Sequence, residues 1–143
     1  MQIPAHVKDC LSRSAKGRRL ILGTASTDGT PNAVPVGLIR FPDDETVLLV
    51  DNYFLKTREN LDRNPTAALT CWDLEEKDGK LATRDGYQLK GRVRIEEAGP
   101  RHEAIKAELK AINPAFPVKA IVLLAVEAIY DVKSGPGAGK RIA

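Results

Sequence analysis

The segment Val50-Asp51-Asn52-Tyr53-Phe54-Leu55-Lys56-Thr57-Arg58-Glu59-Asn60-Leu61 holds the residues best suited to chemistry. An apolar strand ends at Asp51, and a short helix is expected over Phe54 to Arg63. Lys56, Thr57 and Arg58 then fall in its first turn. Cations at that end oppose the helix macrodipole, which favours negative charge there. Free backbone amides, a threonine hydroxyl and one or two cations together can cradle a phosphate or another anion. The alternative is that Lys56 and Arg58 are merely solvated, at about a few tenths of a kcal/mol each.

Other routes to reactivity are poorly supplied. His6 and His102 are the only imidazoles. Each is expected near the start of a helix and exposed, so neither a Ser-His-Asp nor a Cys-His arrangement has good candidates. A zinc site needs three or four soft ligands, and no metal site is expected. Cys10 falls in a helical pattern and Cys71 in a strand pattern, without Cys-x-x-Cys spacing. Buried, inert thiols in a reducing compartment are therefore expected, rather than a redox dithiol. A β-turn accounts for Asp43-Asp44-Glu45. An enzyme of this composition must draw its reactivity from a cofactor.

The Gly-rich end, Ser134-Gly135-Pro136-Gly137-Ala138-Gly139-Lys140-Arg141, fails the P-loop pattern. Ser134 stands where the first glycine belongs, and Arg141 replaces Ser or Thr. Two readings stay open for residues 134–143: a flexible terminus, or a basic arm closing over an anionic ligand.

The elements that must position these groups read as mainly β. A helix is expected over Pro4 to Ala15 from Val7, Cys10, Leu11 and Ala15. Arg19 to Ser26 is a short strand, and Asp28-Gly29 makes a hairpin turn into a second strand, Asn32 to Phe41. Pro35 lacks an amide hydrogen, so its position is an edge, a bulge or a ligand-facing break. Thr46 to Asp51 is a third strand, apolar without a break at Val47–Val50, as when both faces are covered. A second copy of the chain is expected to cover it. Asn64-Pro65 stops the short helix, and Thr66 to Asp73 returns to β. Leu74 to Arg84 is charged and turn-rich, a loop or ragged hairpin. Tyr87 to Ile95 alternates as a half-buried antiparallel strand. Gly99-Pro100 opens a helix over Arg101 to Ile112. Lys119 to Val132 closes the chain with Val122, Leu124, Val126, Ala128, Tyr130 and Val132 in one unbroken register. Without βαβ alternation, a parallel doubly wound sheet is not expected.

The 143 residues fit one domain, residues 1–143, with 43% hydrophobic and 29% charged residues. The net charge of +3 and scattered bases do not argue for nucleic acid. No apolar stretch reaches membrane-spanning length. With no secretory pattern after Met1, a cytoplasmic protein is expected.

Taken in order, these segments resemble the pyridoxamine-phosphate-oxidase-like flavoproteins. Leu22-Gly23-Thr24-Ala25-Ser26-Thr27-Asp28-Gly29-Thr30-Pro31-Asn32 is similar to their opening hairpin. Lys56-Thr57 with Asn60 and Asn64-Pro65 is similar to their phosphate-binding helix. Gly86-Tyr87-Gln88-Leu89-Lys90-Gly91 and Ile121 to Val132 are similar to their later strands. The resemblance spans roughly Val7 to Val132 and implies a six-stranded antiparallel split β-barrel with peripheral helices. It also implies a homodimer with FMN at the subunit interface. Carried over by position, Val34, Pro35 and Val36 would line the isoalloxazine through their backbone. Asp51, Asn52 and Tyr53 would lie beside the ring and ribityl chain. Lys56 and Thr57 would hold the phosphate, and Gln88 or Lys90 would complete the site. The implied activity is that of an FMN-dependent oxidoreductase or flavin reductase using a nicotinamide donor. The alternatives are an electron carrier, a flavin-storage protein, or a deazaflavin- or haem-binding barrel. No match to the C-terminal substrate segment of true pyridoxamine phosphate oxidases is present, which argues against vitamin B6 oxidation.

Overall fold

A computed structural model describes residues 1–143 as a curled antiparallel sheet with three helices. The elements are α1 (Ala5–Lys16), β1 (Leu20–Ala25), β2 (Pro31–Pro35), β3 (Ile39–Arg40), β4 (Thr46–Asp51), α2 (Lys56–Arg63), β5 (Thr66–Lys77), β6 (Lys80–Glu96), α3 (Pro100–Ile112) and β7 (Ala120–Asp131). The strand order is β2-β1-β5-β6-β7-β4-β3, and every neighbouring pair is antiparallel. No helix is long and apolar enough to cross a membrane.

This order explains why the sheet curls. β2 and β3 are its two edges, yet only Val36, Gly37 and Leu38 join them. A three-residue link bridges at most about 15 Å. The edges must therefore approach each other, and a flat seven-stranded sheet is ruled out. Sequence periodicity treats Asn32 to Phe41 as one strand, giving six strands. The seventh arises because the run breaks at Val36–Leu38. Pro35 sits at the end of the edge strand, where its missing amide costs no ladder bond.

Alternating residues then fill the inside of the curl. Leu20, Leu22, Val47, Leu49, Leu69, Leu89, Val122 and Leu124 are fully buried there. Ile3, Val7, Cys10 and Leu11 from α1 and the residues before it plug the same core. A second cluster forms on the other face of β4 and β7, where Ile105 and Leu109 of α3 pack on Leu48, Ile121 and Leu123. The unbroken apolar run in β4 is thus covered by the protein's own helix. It does not call for a second copy of the chain.

Two further expectations are corrected, and one left open is settled. Of the two readings of Leu74 to Arg84 the hairpin holds: β5 and β6 continue through it and turn at Asp78-Gly79. Both turn residues have positive φ, 55° and 75°, as a two-residue hairpin requires. The extension projects charged side chains to solvent, so its composition imitates a loop. The last strand does not keep one register. Lys90 pairs Ala128 while Gly91 pairs Val126, so Glu127 is a bulge, and Ile129 rather than Ala128 returns to the core. His102 is buried, because residues 113–118 fold back over it and its Nε2 lies 2.8 Å from the Val118 carbonyl oxygen.

Residues 134–143 turn back along β7. The Asp131 and Ile142 amides donate to Lys140 O (2.9 Å) and Ile129 O (2.8 Å). Arg141 forms a bridge with Tyr130.

Candidate functional site

The turn from β4 into α2 is set by Asp51. Its side chain is fully buried at the strand end. It accepts from the Phe54 amide at 2.9 Å and from Arg58 Nη1 at 3.1 Å, with Lys119 Nζ 3.6 Å away. A buried carboxylate must be paired and hydrogen-bonded in this way. Asp51 therefore holds the loop and does not itself face an open cleft. Asn52 has a similar task, accepting from the Val118 amide at 2.9 Å. Tyr53 is thrown outward and is 71% exposed.

A groove of about 670 Å³ opens beside this turn. Val34, Pro35, Val36, Asn52 and Tyr53 line it, so five of the expected site residues meet in one place. Its opposite wall is Leu109, Ile112 and Phe116, and Lys16 and Arg18 stand at its side. This apolar wall and cationic rim escaped sequence reasoning. α3 lies far along the chain, and only the fold brings it over β4. The groove suits a flat ring with polar edges. Its walls are apolar, and the outer peptide groups of edge strand β2 have no strand partner.

Lys56 lines a separate small pocket, about 190 Å³, with Ser26, Thr27, Glu59, Asn60 and Arg63. No side chain caps α2, whose N-cap residue is Leu55. Its first-turn amides therefore lack intrahelical partners. Lys56 Nζ pairs with Glu59 at 3.3 Å, but both side chains are more than half exposed. Such a pair is weak, and the ammonium is free to turn to an anion. Arg63 adds a second cation. Arg58 does not, because it is engaged by Asp51, Asp62 and Glu97.

Thr57 points to the other side of the helix. It is 1% exposed, and its hydroxyl accepts from Asn32 Nδ2 at 2.9 Å. Asn32 in turn lines a third depression, about 770 Å³, with Thr24, Ala33, Ala67, Ala68, Lys90 and Gly91 among its walls. Lys90 lies over the Tyr130 ring at 4.8 Å. Gln88 is half-buried, and its amide donates to Thr70 at 3.4 Å. Lys56 and Lys90 thus border two different depressions, and Thr57, buried against β2, lines neither.

Two side-chain clusters lie elsewhere. His6 stacks edge-on against Tyr87, with ring centroids 5.7 Å apart. Cys10 and Cys71, separated in sequence, come together in the core with their sulfurs 3.7 Å apart. Neither histidine lines any of the three depressions.

A curated relative, the uncharacterized protein MJ0282 of Methanocaldococcus jannaschii, is 33% identical over 133 residues, covering 92% of this chain and 84% of that one. Among solved structures, HupZ of Group A Streptococcus is 26% identical with a TM-score of 0.73, covering 96% of this chain and 99% of that one. An FMN-binding protein from Syntrophomonas wolfei has a TM-score of 0.69 at 17% identity, covering 88% of each chain, a likeness of fold alone. The same fold is shared, also at low identity, by proteins named for haem storage and for F420 reduction. The family model described as pyridoxamine 5'-phosphate oxidase matches residues 3–133, nearly the whole curled sheet and all three helices, so this chain belongs to that family.

Proposed function

We propose that the chain binds FMN as a homodimer and serves as an FMN-dependent oxidoreductase or flavin reductase in the cytoplasm. One observation carries the reading. An apolar groove bounded by Val34–Val36 and Asn52–Tyr53 lies beside an uncapped helix start that bears Lys56. The donor set fits the cofactor. The strand edge offers fixed backbone groups to the ring, Tyr53 is free to cover it, and Lys56 and Arg63 offer charge to the phosphate. Bound FMN would supply the hydride or electron chemistry. The protein's own residues orient the ring, hold the phosphate and exclude water.

The subunit contact is assigned to the shallow face built from Ala33, Ala68, Gly91 and Ala128, whose small side chains let a second sheet approach closely. The absorbance spectrum and an FMN titration test the binding. No yellow chromophore and no binding would overturn it. Lys56→Ala with Arg63→Ala, which removes both cations of the small pocket, should weaken FMN by roughly 2–5 kcal/mol.

A second reading, a passive electron carrier or flavin store, rests on the groove's lining. No carboxylate, imidazole or thiol faces it. Turnover with NADH or NADPH separates the two, since measurable flavin reduction excludes a passive role. A deazaflavin or haem is the alternative occupant, and a Soret band on haem addition would favour the latter.

A further inference from the structure

We propose that Cys10 of α1 and Cys71 of β5 form an intramolecular disulfide when the protein meets a hydroperoxide, making this pair a covalent-modification site. Sixty-one positions separate the two residues, yet their sulfurs lie 3.7 Å apart, and both side chains are fully buried. A disulfide has an S–S distance of about 2.05 Å. The sulfurs need approach by only roughly 1.7 Å to reach bonding distance.

The surroundings are not those of two inert core thiols. Ser14 Oγ and Asp73 Oδ1 each lie 3.8 Å from the Cys10 sulfur. Arg13 pairs with Asp73, and the Asp85 amide donates to Asp73 at 2.8 Å. Polar groups therefore ring the pair at the seam between helix and sheet. The hydrogen bond to Cys71 holds the Cys10 thiol below its ordinary range, while that same bond and burial push Cys71 up. Cys10 is the sulfur that loses its proton first, and a thiolate is the nucleophile.

The chemistry then closes in two steps. Cys10 sulfur attacks one peroxide oxygen, and the O–O bond breaks. Cys10 becomes a sulfenic acid, and the departing oxygen leaves as water, or as an alcohol from an organic hydroperoxide. Cys71 gives up its proton and attacks the Cys10 sulfur. The S–O bond breaks, and a second oxygen leaves as water. Two thiols lose two electrons and two protons to the peroxide.

Because both sulfurs are sealed, reaction must wait for α1 to lift locally. Once formed, the bond pins that helix to β5. At its far end the same helix carries Ala15 and Lys16, which line the 670 Å³ groove.

The test uses hydrogen peroxide as probe on the full chain, purified with its thiols reduced. Intact mass should fall by two hydrogens, and peptide mapping should join the Cys10 and Cys71 peptides. Both free thiols should vanish, dithiothreitol should restore them, and Tm should rise by roughly 5 °C or more. Amide exchange across α1 should slow in the oxidised form. Cys71→Ser should stop at a Cys10 sulfenic acid that dimedone traps, and Cys10→Ser should give no adduct. Sulfinic or sulfonic products without a cross-link would overturn the proposal. So would bonds only between chains, or thiols that stay reduced under native conditions yet react after unfolding. The wild-type mapping decides the matter even if a variant fails to fold.

Discussion

The Asn32 side-chain amide donates to the Thr57 hydroxyl at 2.9 Å, tying edge strand β2 to the first turn of α2. Two more bonds repeat the theme. Asn60 donates to the Thr24 hydroxyl at 3.0 Å, and Asn64 donates to the Ala25 carbonyl at 3.2 Å. The helix that presents Lys56 is thereby fixed against the opening hairpin. A hydroxyl both accepts and donates, so Thr57 can serve Asn32 and still offer a hydrogen.

Thr57→Val keeps the shape and removes the hydroxyl, which leaves the Asn32 amide without its acceptor. Stability should fall by about 1–3 kcal/mol. FMN affinity should fall with it if the helix start is the phosphate site. Thr57→Ser should recover most of both losses. Urea unfolding reads the first quantity and flavin titration the second. A valine variant as stable as the wild type would show that the bond contributes little.

Asp51 should prove a structural residue. It is fully buried and serves the Phe54 amide, Arg58 and Lys119 at once. Asp51→Ala strands a half-buried guanidinium and should cost roughly 3 kcal/mol or more. Asp51→Asn retains an acceptor for the Phe54 amide and should cost less. An alanine variant that lost flavin affinity at unchanged stability would return Asp51 to the ring's immediate surroundings.

Hairpins, the apolar strand β4 and the stop at Asn64-Pro65 were legible because each is written in local periodicity or turn chemistry. The break at Val36–Leu38 was not, since that run stays apolar while the backbone turns from one sheet edge to the other. Glu127 hides for a similar reason: a bulge changes which residues face inward without changing their types. At the site, the cations of α2 were visible in the sequence. The direction of each side chain was not. Neighbours on a helix diverge by about 100°, so Lys56 and Thr57 cannot share one pocket wall. The α3 wall of the groove depends on contacts across the fold that no local pattern encodes.

Acid should loosen the seam between α1 and the sheet. Burial opposes ionisation of Asp73, but Arg13 and the Asp85 amide outweigh it and hold its carboxyl below the ordinary range. A carboxylate with a depressed folded value contributes stability above its unfolded value of about 4. That contribution is lost as pH falls from about 4 through the lower folded value. Unfolding free energy should therefore drop below about pH 4. Asp73→Asn should be less stable at neutral pH and show a shallower acid dependence. Parallel acid curves for wild type and variant would remove Asp73 from the account.

Gly91 should be the least replaceable glycine, because it lies at the Glu127 bulge with the β7 backbone directly against it. A Cβ there would sit 1.9 Å from the Ala125 carbonyl oxygen and 2.8 Å from its carbon. Both are backbone atoms, so no side-chain rotation relieves the clash, and the strands must part. Overpacking of this kind costs typically 1–3 kcal/mol, and a backbone clash belongs at the upper end or beyond it. Gly37 makes the contrast. A Cβ there meets nothing within 4 Å, and its φ is not positive. Gly37→Ala should stay within about 0.5 kcal/mol of wild type. Denaturant midpoints of Gly91→Ala and Gly37→Ala measure the difference. Equal midpoints would mean that the strand spacing at the bulge relaxes freely, and that this contact does not set the curl of the sheet.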